Sequence, residues 1–188
     1  DVRLQDMILL ALRVAAVAAA AVLAARPFLS SGAAGIVGLR EGPADAAIVI
    51  DTSASMRTAS GGRTRIEAAR ERARRILAAL PEGSRCALIP SEDARPLGGG
   101  LSDDRGLAAA AIDGIEASYR GGSVLEGLRA AIGLLGGSGA ASRRISLITD
   151  GQARFFSGSE EAVRRAVEEA DPRILFSVEL VARDAGPN

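Results

Sequence analysis

The chain reads as an α/β protein: a doubly wound, mostly parallel sheet with helices on both faces, preceded by an apolar helix. Three observations predict this. Short β-branched runs (Ala46–Ile50, Arg85–Ile89, Arg144–Thr149, Ile174–Val181) alternate with longer segments of helical apolar spacing. Helix-start signals stand ahead of two of those segments, Thr64-x-x-Glu67 and Ser123-x-x-Glu126, both of the capping-box type. Two strands end abruptly in an acid, Asp51 and Asp150. Strands that alternate with helices pair in parallel, because each crossover returns the chain to the same edge.

In chain order, residues 7–25, MILLALRVAAVAAAAVLAA, come first. Apart from Arg13 the run is apolar, and it has the roughly 20 residues that a bilayer span needs. A charge inside such a span costs about 3 kcal/mol on insertion scales. Arg13 lies toward the N-terminal end, where its side chain can snorkel to the interface. We take residues 5–29 as a transmembrane helix. A signal-peptide segment cleaved near Ala25, or a buried Ala-rich helix, are the plainer alternatives. Residues 30–44 are small and Gly-rich, a linker. The sheet domain follows over 45–188. Thr64–Leu80 carries Ile66, Ala69, Ala73, Ile76, Leu77 and Leu80 at helical spacing, and Pro81 stops it. Its Arg70–Arg75 run predicts a solvated face with pairs inside the helix. Ala94–Leu97 predicts a short edge strand, since Pro96 cannot donate to a ladder. Ser102–Ala117 predicts a helix with Asp103 and Asp104 in its first turn, where the dipole favours acids. Ser123–Leu135 and Ser159–Ala170 predict two more.

Composition removes several chemistries. The 188 residues carry 23 basic and 23 acidic side chains, so no charge excess points to nucleic acid. There is no His, which excludes Ser-His-Asp and Cys-His nucleophiles and the usual His-rich metal sites. The single Cys86 lies in an apolar run and reads as a small core residue. No Gly-Lys-Ser/Thr follows a Gly-rich loop, which excludes a P-loop nucleotide site. A phosphotransferase of the haloacid dehalogenase type needs a second Asp two residues after the first, and that position is Ser53. The chain is read as a binding module and not an enzyme. The chain starts at Asp1 without Met and reads as a segment of a longer protein.

Ligands of doubly wound sheets bind beyond the carboxyl ends of the strands. Three stretches gather there: Asp51-Thr52-Ser53-Ala54-Ser55, Gly121-Gly122-Ser123 and Thr149-Asp150-Gly151. Alternate residues of an extended segment point the same way, so Asp51, Ser53 and Ser55 aim three oxygens at one point. Ser123 and Asp150 add a hydroxyl and a second carboxylate. This set of hard oxygen donors suits Mg²⁺ or Mn²⁺. Each piece alone also fits a plain turn or a helix cap. Phe155-Phe156, Gln152 and Arg154 follow the last stretch as candidate rim residues for a partner, or as core.

IVIDTSASM, YRGGSVLEGL and ISLITDG resemble the three metal-binding loops of a von Willebrand factor A-type domain, a Rossmann-like fold. The resemblance implies a metal-ion-dependent adhesion site at Asp51, Ser53, Ser55, Ser123 and Asp150, which receives a carboxylate from a protein partner. The family usually has Thr where this chain has Ser123. The likeness spans about Asp45 to Val181 and stops before a strand and helix that the family usually adds, so the domain is expected to be incomplete at its C-terminus. The apolar run ending in Ala25-Arg26-Pro27 is similar to the second membrane helix of bacterial Bat aerotolerance-family proteins. That likeness implies a bacterial inner-membrane protein with a periplasmic domain, associated with a MoxR-type AAA+ ATPase. A structural domain with a vestigial metal site is the alternative, and a metal-dependent phosphatase a more distant one.

Overall fold

The computed structural model describes residues 42–60, 62–119, 122–151 and 160–181. The transmembrane helix expected at 5–29, nearly all of the linker, Gly121 and the rim residues Gln152, Arg154, Phe155 and Phe156 lie outside them. Among the described residues no helix is long and apolar enough to cross a membrane. They belong to one compact unit that starts at Arg40.

Strand β1 (Ala44–Ile50) is buried along its whole length, as a central parallel strand must be. It is followed by a 3₁₀ turn (Ala54–Arg57), a small antiparallel hairpin of β2 (Ala59–Ser60) and β3 (Arg63–Thr64), and helix α1 (Arg65–Ala79). Then come β4 (Arg85–Pro90), β5 (Leu97–Ser102), α2 (Arg105–Gly114), α3 (Val124–Gly136), β6 (Ser142–Thr149), α4 (Glu160–Glu168) and β7 (Ile174–Leu180). The main sheet has the order β5-β4-β1-β6-β7. All pairings are parallel except β4 with β5.

The pleat of β1 divides the core in two. Ala46, Ile48 and Ile50 pack with Ile66, Ala69, Ala73 and Leu77 of α1 and Ile112 of α2. Ala47 and Val49 point the other way, onto Val124, Leu128, Ala131 and Leu135 of α3. Helices therefore cover both faces, and the doubly wound α/β part of the expected fold class stands, while the apolar helix expected ahead of it lies outside the described residues. Ile48, Val49 and Ile50 are fully buried, and each contributes about 1.5–3 kcal/mol of hydrophobic stabilisation. Cys86 is also buried, which pushes its thiol up to about 11 and makes it a core residue.

Local signals set the helix starts. Thr64 Oγ1 accepts from Glu67 N–H (3.4 Å), and Glu67 Oε2 accepts from Thr64 N–H (2.7 Å), so the first capping box is complete. The second is half formed: Ser123 Oγ accepts from Glu126 N–H at 3.3 Å. Helix α2 starts three residues later than expected, because Asp104 serves as its cap and accepts from Leu107 N–H (2.9 Å). The edge strand falls on Leu97–Ser102 and not on Ala94–Leu97. Its three glycines, all at positive φ, form a bulged antiparallel strand where their composition suggests a loop. The Arg70–Arg75 face also differs from expectation. Arg70 donates to Ile115 O of the α2 end, Arg72 pairs with Glu179 of β7 (2.7 Å), and Arg74 pairs with Asp113 of α2. These arginines join α1 to its neighbours.

Candidate metal centre

After β1 the chain crosses through α1 to β4, and after β6 it crosses through α4 to β7 on the other side. The direction of winding reverses between β1 and β6, and that crevice is where doubly wound sheets bind ligands. The two strands run in register, Ile50 beside Ile148, and Asp51 N–H continues the ladder to Ile148 O (2.9 Å). Asp51 and Asp150 are thus delivered by adjacent strands at one edge.

Asp51 is 1% exposed, and both of its carboxylate oxygens have hydrogen-bond partners. Oδ1 accepts from Ser53 N–H (2.9 Å), and Oδ2 accepts from the Thr149 hydroxyl (2.8 Å). Thr149 Oγ1 in turn accepts from Gly151 N–H (3.2 Å). A buried carboxylate without such partners would lose its solvation uncompensated. The hydroxyls of Ser53 and Ser55 converge to 3.0 Å. The turn that aims them is closed by Met56 N–H on Ser53 O (3.0 Å) and anchored by the fully buried Met56 side chain.

Thr52 faces the other way and ties this loop to the next. Its N–H donates to Ser91 Oγ (3.0 Å), its hydroxyl accepts from Glu92 N–H (3.1 Å), and its carbonyl accepts from Ser118 N–H (2.7 Å). Ser91 O accepts from Ser123 N–H at 3.0 Å. Gly122 makes that approach possible, since a Cβ there would lie 2.4 Å from Ser91 O. Ser123 therefore reaches the same edge through Ser91, and its hydroxyl caps α3.

The Asp150 side chain is 1% exposed and pairs with Arg65 Nη1 at 2.6 Å. The same nitrogen donates to Ser55 O at 3.3 Å. One buried cation thus bridges the first and third loops. Among the described residues Arg65 Nε has no hydrogen-bond partner. On the rim, Arg57 stacks on the exposed Tyr119 ring with its guanidinium carbon 4.2 Å from the centroid.

The structure brings Asp51, Ser53 and Ser55 into direct contact and joins Ser55 to Asp150 through Arg65. No group of three or more His, Cys, Asp or Glu gathers among the described residues. Any ion here would be held by two carboxylates and hydroxyls, a donor set that fits Mg²⁺ or Mn²⁺. Arg65 already places positive charge at the Asp150 side of that set. Sequence reasoning missed Thr52, Ser91, Thr149 and Arg65. Arg65 had one signal: a cation in the first turn of a helix opposes the helix dipole.

The sequence profile of the von Willebrand factor type A domain matches residues 46–152. No curated protein matches the chain. Among solved structures, the conserved hypothetical protein BatB from Bacteroides thetaiotaomicron is similar at 25% identity and a TM-score of 0.60, over 73% of this chain and 65% of that one. A von Willebrand factor type A protein from Catenulispora acidiphila shares 23% identity with a TM-score of 0.60, over 73% of this chain and 33% of that one. An aerotolerance-related membrane protein from Bacteroides fragilis shares 18% identity with a TM-score of 0.54, over 73% and 66%. The matches span 65%, 33% and 66% of these solved chains.

Proposed function

We infer a binding role from one premise: the chain belongs to the von Willebrand factor type A domain family. In this reading Asp51, Ser53, Ser55, Ser123 and Asp150 hold a divalent cation, Mg²⁺ or Mn²⁺, in a metal-ion-dependent adhesion site. When bound, the ion supplies an electrophilic position for a carboxylate of a protein partner. The chain's own residues set the geometry. Thr149 and Ser53 N–H fix the Asp51 carboxylate, Met56 anchors the turn that aims Ser53 and Ser55, and Ser91 draws the Ser123 loop to the same edge. The exposed Tyr119, stacked on Arg57, supplies an aromatic and cationic rim of the kind that anchors partners.

The supporting observation is the convergence of the Ser53 and Ser55 hydroxyls, 3.0 Å apart, beside a buried Asp51. Binding, and not catalysis, is the proposed role. We place the domain on the outer side of a bacterial inner membrane, anchored by residues 5–29, and working with a MoxR-type AAA+ ATPase. The likeness to Bat-type membrane proteins hints at membrane association.

A second reading has its own observation. Arg65 already balances Asp150, so the domain is also able to act as an interaction scaffold without metal. Calorimetric titration of the full chain with Mn²⁺ and Mg²⁺, against Asp51→Ala, separates the two. Saturable binding by the wild type that Asp51→Ala abolishes supports the metal site. Absence of binding by both proteins leaves the scaffold.

A further inference from the structure

We propose that Arg65 is a built-in counter-ion that competes with the divalent cation for Asp150 and so sets the metal affinity of the domain. The proposal rests on the metal-site reading above and adds a residue to it. Three observations carry it. Arg65 Nη1 lies 2.6 Å from Asp150 Oδ2, with the two side chains only 11% and 1% exposed. The same nitrogen touches Ser55 O, so the guanidinium sits between the loop that offers Ser53 and Ser55 and the loop that offers Asp150. Arg65 Nε, also buried, has no hydrogen-bond partner among the described residues.

The Asp150 side chain is almost wholly out of solvent, and Arg65 sets a positive charge 2.6 Å from its Oδ2. A divalent cation that takes Asp150 as a ligand brings two further charges toward the same carboxylate, and like charges at such distances repel. The guanidinium must therefore withdraw from Asp150 before or as the ion enters. Among the described residues its side chain is held by two bonds, both from Nη1, and Nε is unsatisfied. The position also suits departure. Arg65 is the first residue of α1, behind the β2–β3 hairpin, and the dipole there disfavours a cation. The site thus has two states, one in which Asp150 pairs with Arg65 and one in which it faces the metal.

The test uses the full chain as wild type, Arg65→Gln, Arg65→Lys and Asp51→Ala, titrated with Mn²⁺ by calorimetry. Arg65→Gln keeps a donor and removes the charge. It should bind Mn²⁺ about tenfold tighter or more, the scale on which an opposite charge within ~4–6 Å changes a carboxylate's proton affinity. Arg65→Lys keeps the charge and should bind within about threefold of wild type. If wild type binds and Arg65→Gln binds equally or more weakly, Arg65 is only a structural brace and the proposal falls, while the metal site stands. If no protein binds, both fall. Should Arg65→Gln not fold, the wild type decides by nitrogen NMR of arginine side chains. Saturating Mg²⁺ should move the Arg65 Nε signal, assigned by its loss in Arg65→Lys. An Arg65 signal that stays in place at saturation overturns the competition.

Discussion

Thr149→Val isolates the support of the central carboxylate. Thr149 is 1% exposed, so no water replaces its hydroxyl once that is removed. Valine keeps the shape and the strand preference and loses only the oxygen. Two bonds are then lost: the one Asp51 Oδ2 accepts from the hydroxyl at 2.8 Å, which strands a buried oxygen, and the one Gly151 N–H donates to that hydroxyl at 3.2 Å. A hydrogen bond to a charged group is worth about 1.5–3 kcal/mol, and a stranded buried partner costs the upper part of that range. The variant should therefore lose about 2–3 kcal/mol of stability by urea denaturation in EDTA. Its Mn²⁺ affinity, read from free Mn²⁺ by electron paramagnetic resonance, should fall about 10- to 100-fold, as for other groups that orient a metal ligand. Thr149→Ser keeps the hydroxyl and should retain most of both. If Thr149→Val unfolds within about 0.5 kcal/mol of wild type, a change typical of neutral surface sites, and binds Mn²⁺ equally, the Thr149–Asp51 bond does not organise the site.

Gly122→Ala should force the Ser123 loop away from Ser91, because the new Cβ would stand 2.4 Å from Ser91 O. An overpacking cost of about 1–3 kcal/mol in urea, with weaker Mn²⁺ binding, is expected. Asp45 gives a pH signature. Burial acts to raise its pKa, but hydrogen bonds from Arg85 and Ser138 together with the charges of Arg85 and Arg143 outweigh it, and the net direction is down. A depressed pKa means stability that is fully present above the unfolded carboxyl value of about 3.9 and fades as pH falls through the folded one. Asp45→Asn should be about 1–2 kcal/mol less stable at pH 7, with the difference shrinking below about pH 4 in acid unfolding curves. Thr64→Ala removes the hydroxyl half of the α1 capping box and should cost about 1 kcal/mol in thermal or urea unfolding.

The parts of the fold that were legible share a physical cause. The β1, β4 and β6 runs are apolar because helices cover both faces of the sheet there, and that burial writes itself into consecutive residues. The start of α1 was legible because Thr64 and Glu67 satisfy each other's backbone locally. The edge strand was misplaced because three glycines carry no strand preference. Its pairing comes from Cys86 and Leu88 of β4, which no local pattern encodes. The arginines of α1 were misjudged for a similar reason. Intrahelical spacing is visible in sequence, whereas Asp113 and Glu179 become available only once α2 and β7 have packed.

The site divides along the same line. Asp51, Ser53 and Ser55 lie within a few residues of chain, so their closeness was readable, although the 3₁₀ turn over Ala54–Arg57, and not extended alternation, brings Ser55 onto Ser53. What holds that turn against the rest of the molecule is long-range: Thr149 on Asp51, Ser91 on Thr52, and Arg65 between Ser55 and Asp150. Of these, Arg65 changes the chemistry most. Two acids and three hydroxyls read from sequence as an open invitation to a divalent cation. With a buried guanidinium already on one of the acids, the net charge offered to an incoming ion is one unit less negative. Since each unit charge in a partly buried site weighs several kcal/mol before screening, the affinity of the centre depends as much on where Arg65 rests as on the oxygens that would hold the ion.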